Sequence, residues 1–287
     1  MIKSFTSLRG IFILFIFFHH CLDLYPGGGT LAVAFFFILG GFGLTLGYKD
    51  RVMSSLFNIR QYFTKRVIKF YPLHLVCLLA ALPLALPSFS VKQVLVLVIN
   101  AALLQSWIPI KGVNFSFNGV SWYLADTMFF AVIFPFLLKW IINASPKGKV
   151  LIATAFAVIY AVVAIIIPTD IHHAILYISP YMRLTDFVFG IYLALGYLKF
   201  KEKPISFYSN NSLTQVLVFA LIVLLVVESC VLSEDTVLFA PVYWPFLASL
   251  ILIASLSEVV GGGRNYSGTN ISNGLENLAS RYFLYIS

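Results

Sequence analysis

Long apolar runs alternate with short polar joints along the chain. In order, the runs lie at about 8–25, 30–48, 70–88, 93–109, 121–142, 150–168, 178–198, 213–232 and 237–257. A helix needs roughly 20 apolar residues to cross the hydrocarbon core of a bilayer. Backbone polar groups in lipid must be paired within the segment, so runs of this kind are satisfied as helices. The pattern predicts an all-α, polytopic integral membrane bundle of about nine hydrophobic segments, with one transmembrane domain over 1–260 and a polar tail over 261–287. Gly27-Gly28-Gly29 reads as a tight turn that folds the first two runs into an antiparallel hairpin.

The polar joints orient these runs. Lys49, Arg51, Arg60, Lys65, Arg66 and Lys69 face a lone acid, Asp50, between the second and third runs. With Lys3, this places the N-terminus and the 49–69 loop in the cytoplasm. If all nine runs crossed, the clusters Lys139, Lys147, Lys149 and Lys199, Lys201, Lys203 would not all fall on that side. The weakest run, 93–109, is interrupted by Asn100, Gln105 and Ser106. Eight full crossings with that run re-entrant or outward-lying return both clusters to the cytoplasm and put Asp170, Glu234 and Asp235 outside.

Composition agrees with a membrane protein: 60% of the 287 residues are hydrophobic and 10% charged. The net charge of +8 sits in the short joints, so it reads as topology and not as a nucleic-acid surface. Cys21, Cys77 and Cys230 have no paired spacing, which points to neither a disulfide framework nor a metal site. The first run lacks a small-x-small cleavage signal and reads as a retained helix.

Polar chemistry concentrates in that first run. Arg9 opens it and His19 and His20 close it. At about 1.5 Å rise per residue the eleven positions from Arg9 to His20 span roughly 16 Å, half the hydrocarbon thickness. Positions 9, 13, 16 and 20 share one helical stripe, so His20 and not His19 lies on the face of Arg9. Alone, Arg9 reads equally well as a snorkelling anchor. An imidazole in an apolar run needs a cavity or a polar partner, and it is a natural general base near neutral pH. Asp23, Asp126 and Asp186 are candidate acids to orient it, although Asp126 also fits a plain helix start after Ser121. Arg183 reads as lining a polar interior, Trp122 as either an interior or an interfacial residue, and His172 and His173 as loop residues without a metal set. Buried Arg and His mark permeation paths as well as active sites, which leaves a transporter or flippase of a polar or anionic solute open.

Five segments, taken in order along the chain, carry a more specific pattern than any one of them alone. Leu8-Arg9-Gly10 with its apolar run to His20 is similar to the Arg-x10-His opening. Phe36-Phe37-Ile38-Leu39-Gly40-Gly41-Phe42 resembles Phe-Phe-x-Leu-Ser-Gly-Phe, with Gly40 in the serine's place. Arg66-Val67-Ile68-Lys69-Phe70-Tyr71-Pro72 resembles Arg-x-x-Arg-x-Tyr-Pro, with Lys69 for the second arginine. Ser121 to Asp126, continuing to Phe134-Pro135, is similar to Trp-Ser-Leu-Ser-Val-Glu and its downstream Phe-Pro, Asp126 standing one residue short of the glutamate. Arg183 to Gly190 resembles Arg-x-x-Glu-Phe-x-x-Gly. Together the five segments resemble those of the acyltransferase type 3 family of membrane O-acyltransferases.

The resemblance implies transfer of an acyl group, with acetyl expected, from acyl-CoA to a hydroxyl of a cell-surface polysaccharide or glycolipid. The location implied is the bacterial plasma (inner) membrane. His20 is then the expected base, with Arg9 and Asp126 assisting; Arg66, Lys69 and Tyr71 are the expected acyl-CoA contacts, and Trp122 and Arg183 the expected acceptor contacts. No resident cofactor or metal is implied. The chain ends where family members carry one further helix, so an inactive, truncated member is the remaining alternative.

Overall fold

The computed structural model describes residues 4–22, 28–85, 90–200, 211–231 and 240–262. Expectations that involve Lys3, Asp23, Lys201, Lys203, Glu234, Asp235 and the tail after Gly262 lie outside these residues. The helices are α1 (Ser4–Phe17, continued by a π turn Phe18–Leu22), α2 (Gly28–Met53), α3 (Ile59–Ala85), α4 (Val91–Ala101) and α5 (Lys111–Asn114). They are followed by α6 (Ser121–Asn143), α7 (Pro146–Ile166), α8 (Pro180–Phe200), α9 (Asn211–Val231) and α10 (Trp244–Gly262). No strand occurs among the described residues.

Among the described residues each of the nine apolar runs contains a helix. Four helical stretches, Gly29–Met53, Ile59–Pro83, Ser121–Asn143 and Pro146–Ile166, are long and apolar enough to cross a membrane, and Phe5–Cys21, Val91–Ala101, Val216–Glu228 and Ala240–Leu256 are shorter apolar helices. The protein is a helical membrane protein. The run read as weakest forms only the eleven residues of α4, about half of what a crossing requires.

Two boundaries differ from the pattern. The third run begins its helix at Ile59, so Arg60, Lys65, Arg66 and Lys69 are helical and the joint after α2 shrinks to a short turn. Hydropathy locates the lipid-buried part of a helix, whereas Lys, Arg and Gln are good helix formers that prolong it into the polar zone. Asn58 starts α3 by accepting the Gln61 amide at 2.9 Å, and Ser145 starts α7 by accepting the Gly148 amide at 3.1 Å ahead of Pro146.

The chain divides into two compact units, Met1–Leu46 with Gly190–Ser287, and Gly47–Phe189. In the first, α1 buries Phe5, Leu8 and Phe12, one face at helical spacing. Phe12 stacks on Phe35 of α2 at 3.8 Å, and Phe5 meets Phe42 edge-on at 5.6 Å. Lipid tails are as apolar as these rings, so close fit and not water exclusion must hold the helices together. The tightest fit is Gly190 of α8, where a Cβ would lie 2.0 Å from the Ile38 carbonyl oxygen and 3.0 Å from the Phe42 amide nitrogen. The last glycine of the Arg183–Gly190 segment therefore crosses the Phe36–Phe42 segment with backbone against backbone.

In the second unit, α6 carries Pro135, which has no amide hydrogen to give the carbonyl four residues earlier. That carbonyl belongs to Ala131, and the buried Tyr62 hydroxyl of α3 donates to it at 2.8 Å. The proline gap in α6 thus fixes α3 against it. At one end of this unit the Lys139 ammonium lies 5.8 Å from the Phe57 ring, which brings the turn before α3 and the last turn of α6 together. At the other end Phe115 lies 5.8 Å from His173, and Trp107 lies 6.3 Å from Tyr181. The basic clusters at 49–69 and 139–149 therefore share an end of this unit. On α7, Leu151, Ile159, Ile165 and Ile166 are exposed in a pattern suited to lipid contact.

Candidate active site

Arg9 and His20 lie in the first unit. His19 is held against α2: a Cβ on Gly29 would come within 2.8 Å of its Cδ2 atom. His20 is exposed in the π turn, its ring 4.8 Å from that of His19. On its stripe Ile13 is 56% exposed while Arg9 and Ile16 are half-buried, and Phe5, Leu8 and Phe12 on another face are buried. π turns interrupt regular helix pairing and are frequent at functional sites.

The basic end of the second unit holds Arg66. Its guanidinium lies 4.9 Å from the Tyr48 ring centre and 5.1 Å from that of Tyr62, buried between two aromatic faces. Lys69 is half-buried, with its ammonium 4.8 Å from the Phe70 ring. Tyr71, also half-buried, donates its hydroxyl to the Ala101 carbonyl at 2.7 Å, and His74 sits 2.9 Å from the Asn100 carbonyl. These two contacts fasten the end of α4 to the middle of α3.

The opposite end gathers Trp122, Asp126 and Arg183. Arg183 is 0% exposed. Its Nε donates to the Tyr177 carbonyl at 2.8 Å, its Nη1 to Asp186 at 2.9 Å, and its charge lies 5.0 Å from the Tyr177 ring. The ion pair offsets part of the cost of burying the cation, and the carbonyl contact ties the turn before α8 to α8 itself. Asp126 is 0% exposed, and the groups that act on its carboxyl are the Ser106 hydroxyl and the Arg183 guanidinium. The Trp122 ring is buried 5.0 Å from the Tyr177 ring, so Trp122 is an interior residue and not an interfacial one.

Tyr177 and His173 lie in the turn before α8. Burial pushes the Tyr177 phenol up to about 12, against the opposing pull of Arg183. Partial burial, and then the charges of Arg183 and Lys111, hold His173 below the ordinary imidazole value, which leaves the ring neutral near pH 7. Among the described residues no set of three His, Cys, Asp or Glu side chains is placed to hold a metal ion.

Trp122, Asp126 and Arg183 were legible in the sequence as chemistry, and the structure brings them together. Arg66 and Lys69 lie at the other end of the same unit, and Arg9 and His20 in the first unit. The sequence reading missed Tyr62, Tyr177, Gln105 and Ser106 as partners. The last two were visible only as the polar breaks that weakened run 93–109.

With these positions in hand, comparison with known proteins decides the family: the acyltransferase domain model of the type 3 acyltransferases matches residues 2–278. The chain belongs to the acyltransferase type 3 family. It is similar to the acyltransferase MdmB of Streptomyces mycarofaciens, 35% identical over 112 residues that cover 37% of this chain and 28% of that protein. The match thus takes in little more than a quarter of that relative's length. No solved structure matches the chain.

Proposed function

We infer that this type 3 family member is a membrane O-acyltransferase. It moves an acyl group, with acetyl expected, from acyl-CoA to a hydroxyl of a cell-surface polysaccharide or glycolipid. The setting is the bacterial plasma membrane, N-terminus in the cytoplasm. The observation that carries the reading is the contrast between neighbouring histidines. His19 is packed on Gly29, while the His20 imidazole stands open at the end of an apolar helix opened by Arg9.

In the reaction, His20 takes the proton of the acceptor hydroxyl as its oxygen attacks the thioester carbonyl. A C–O bond forms, the C–S bond breaks, and the imidazolium returns the proton to the departing thiolate. General-base assistance of this kind is worth ~10² to 10⁴-fold. Arg66 and Lys69 supply positive charge for the CoA phosphates at the basic end, with Tyr71 beside them, and Arg9 helps hold the same end of the molecule. Lys69 offers a point charge in place of an arginine fork, so its contact to phosphate is less directional. From Trp122 to Lys139 along α6 is seventeen residues, roughly 26 Å at 1.5 Å each, close to the thickness a donor below and an acceptor above must bridge.

Mass spectrometry of envelope glycans from cells with and without the protein tests the reading. An acyl mass increment on glycan hydroxyls that disappears with the gene product supports it. Unchanged glycans alongside accumulation of an unmodified solute would place the chain among transporters.

A further inference from the structure

Two side chains of α3 hold the last turn of α4. The Tyr71 hydroxyl donates to the Ala101 carbonyl at 2.7 Å, and His74, about one helical turn further on, meets the Asn100 carbonyl at 2.9 Å. A carbonyl only accepts, so His74 Nε2 carries the proton, while Nδ1 is buried without a hydrogen bond. The residue is 2% exposed, which keeps its ring out of reach of a substrate. An imidazole so placed works through what it holds.

What it holds is a helix end that cannot rely on water. The eleven residues of α4 are too few to cross a bilayer, and the carbonyls of a last helical turn have no partner within their own helix. Where lipid replaces water, protein must supply the donors. Beyond the clamp the chain turns back. The Leu103 amide bonds to the Asn100 carbonyl and the Leu104 amide to the Ile99 carbonyl, both at 3.0 Å, with Leu103 left-handed at a φ of 56°. Helices that end in this way commonly place glycine there, and a buried leucine takes that conformation only where its surroundings impose it. Tyr71 and His74 fix the carbonyls on which the turn is built, and the Asn100 amide, donating to Ser116 Oγ at 2.7 Å, holds it from the other side.

The turn delivers three side chains to α6. The Gln105 amide donates to Ser121 Oγ at 3.0 Å, and Trp107 meets the Phe129 ring edge-on at 4.7 Å. Between them the Ser106 hydroxyl acts on the Asp126 carboxyl. The same clamp bears on the donor contact expected of Tyr71. Its one phenolic proton is given to Ala101, and a phosphate offers only acceptors, so this hydroxyl has no proton left for a CoA phosphate.

We propose that Tyr71 and His74 are positioning residues for acyl transfer, which fix the end of α4 and through it the Ser106 hydroxyl at Asp126, and that neither contacts the donor. This deepens the O-acyltransferase reading and rests on it.

Inverted membrane vesicles holding the full chain at matched abundance are supplied with radiolabelled acetyl-CoA over a concentration series, and the same chains in detergent are followed by hydrogen exchange. In Tyr71→Phe and His74→Leu the maximal rate of label transfer to glycan should fall about tenfold or more, while the half-saturating acetyl-CoA concentration stays within about twofold. A glutamine amide nitrogen can stand in for Nε2 as donor, so His74→Gln should return the rate to within about threefold of the parent. Exchange in the 102–108 segment should quicken about tenfold or more in the first two variants with α7 unchanged, which separates loss of the clamp from unfolding. In a Ser106→Ala background the same two changes should lower the rate by less than about twofold, because their effect runs through that hydroxyl. A raised half-saturating concentration at undiminished maximal rate would make Tyr71 a donor contact and overturn the proposal. Unchanged rates, or losses that multiply with that of Ser106→Ala, overturn it equally, and all three leave the enzymatic reading standing. A parent chain that transfers no label removes the enzymatic reading itself, and the positioning role with it.

Discussion

The Tyr62 hydroxyl donates to the Ala131 carbonyl, the one that Pro135 leaves without an amide partner. Two parts of the sequence that seem unrelated, the basic start of α3 and the Phe134-Pro135 step of α6, are therefore one structural device. Tyr62→Phe should leave a buried carbonyl unpaired and cost about 1–2 kcal/mol. In a Pro135→Ala background the new amide of residue 135 can take that carbonyl, so the same Tyr62→Phe change should cost clearly less. A double-mutant cycle on thermal stability in detergent measures the difference.

Gly190 allows α8 to cross α2 at backbone contact. In Gly190→Ala the added Cβ meets the Ile38 carbonyl oxygen, a backbone atom that cannot swing aside, so the expected loss is at least about 3 kcal/mol or failure to accumulate folded protein. Gly196, about one and two-thirds turns further along the same helix, has nothing within 4 Å of its added Cβ. Gly196→Ala should be neutral or gain up to about 1 kcal/mol from helix propensity. Fluorescence-detected size exclusion after a heating series reads both.

The order of the helices was legible because lipid imposes a simple rule on hydrophobicity. The start of α3 was not, since basic residues extend a helix as readily as they end a hydrophobic run. Arg183 could be placed in the interior from the cost of exposing it to lipid, and Asp186 three residues on was within reach as its partner. Gln105 and Ser106 were taken only as interruptions because a side chain's role depends on what folds against it. In this case that is Ser121 and Asp126 from a different helix. The distinction between His19 and His20 was drawn from regular α-helical spacing, which the π turn Phe18–Leu22 interrupts before it reaches either histidine.

Arg183 and Asp186 form a buried ion pair. Removing one partner strands the other, so Asp186→Leu or Arg183→Met alone should each cost about 3–5 kcal/mol. The double substitution leaves no stranded charge and should recover part of that loss. Recovery in thermal unfolding would distinguish pairing from independent packing roles.

His173 titrates below the ordinary imidazole value when folded, so between the two values the unfolded chain binds more protons than the folded one. Its contribution to stability is therefore present above about pH 6.5, the usual imidazole value, and is lost as pH falls through that value toward the folded one. His173→Gln should show a smaller drop in thermal midpoint between pH 7.5 and 5.5 than the parent. An identical slope in both would mean that another group governs the acid limb.

His20 carries the proposed chemistry most directly. Inverted membrane vesicles containing the full chain, or its His20→Ala or His19→Ala variant at matched abundance, are supplied with radiolabelled acetyl-CoA, and label in the glycan fraction is counted. Transfer should fall by ~10² to 10⁴-fold in His20→Ala and stay within a few-fold of the parent in His19→Ala. Undiminished transfer by His20→Ala would contradict the assignment of that imidazole as the base.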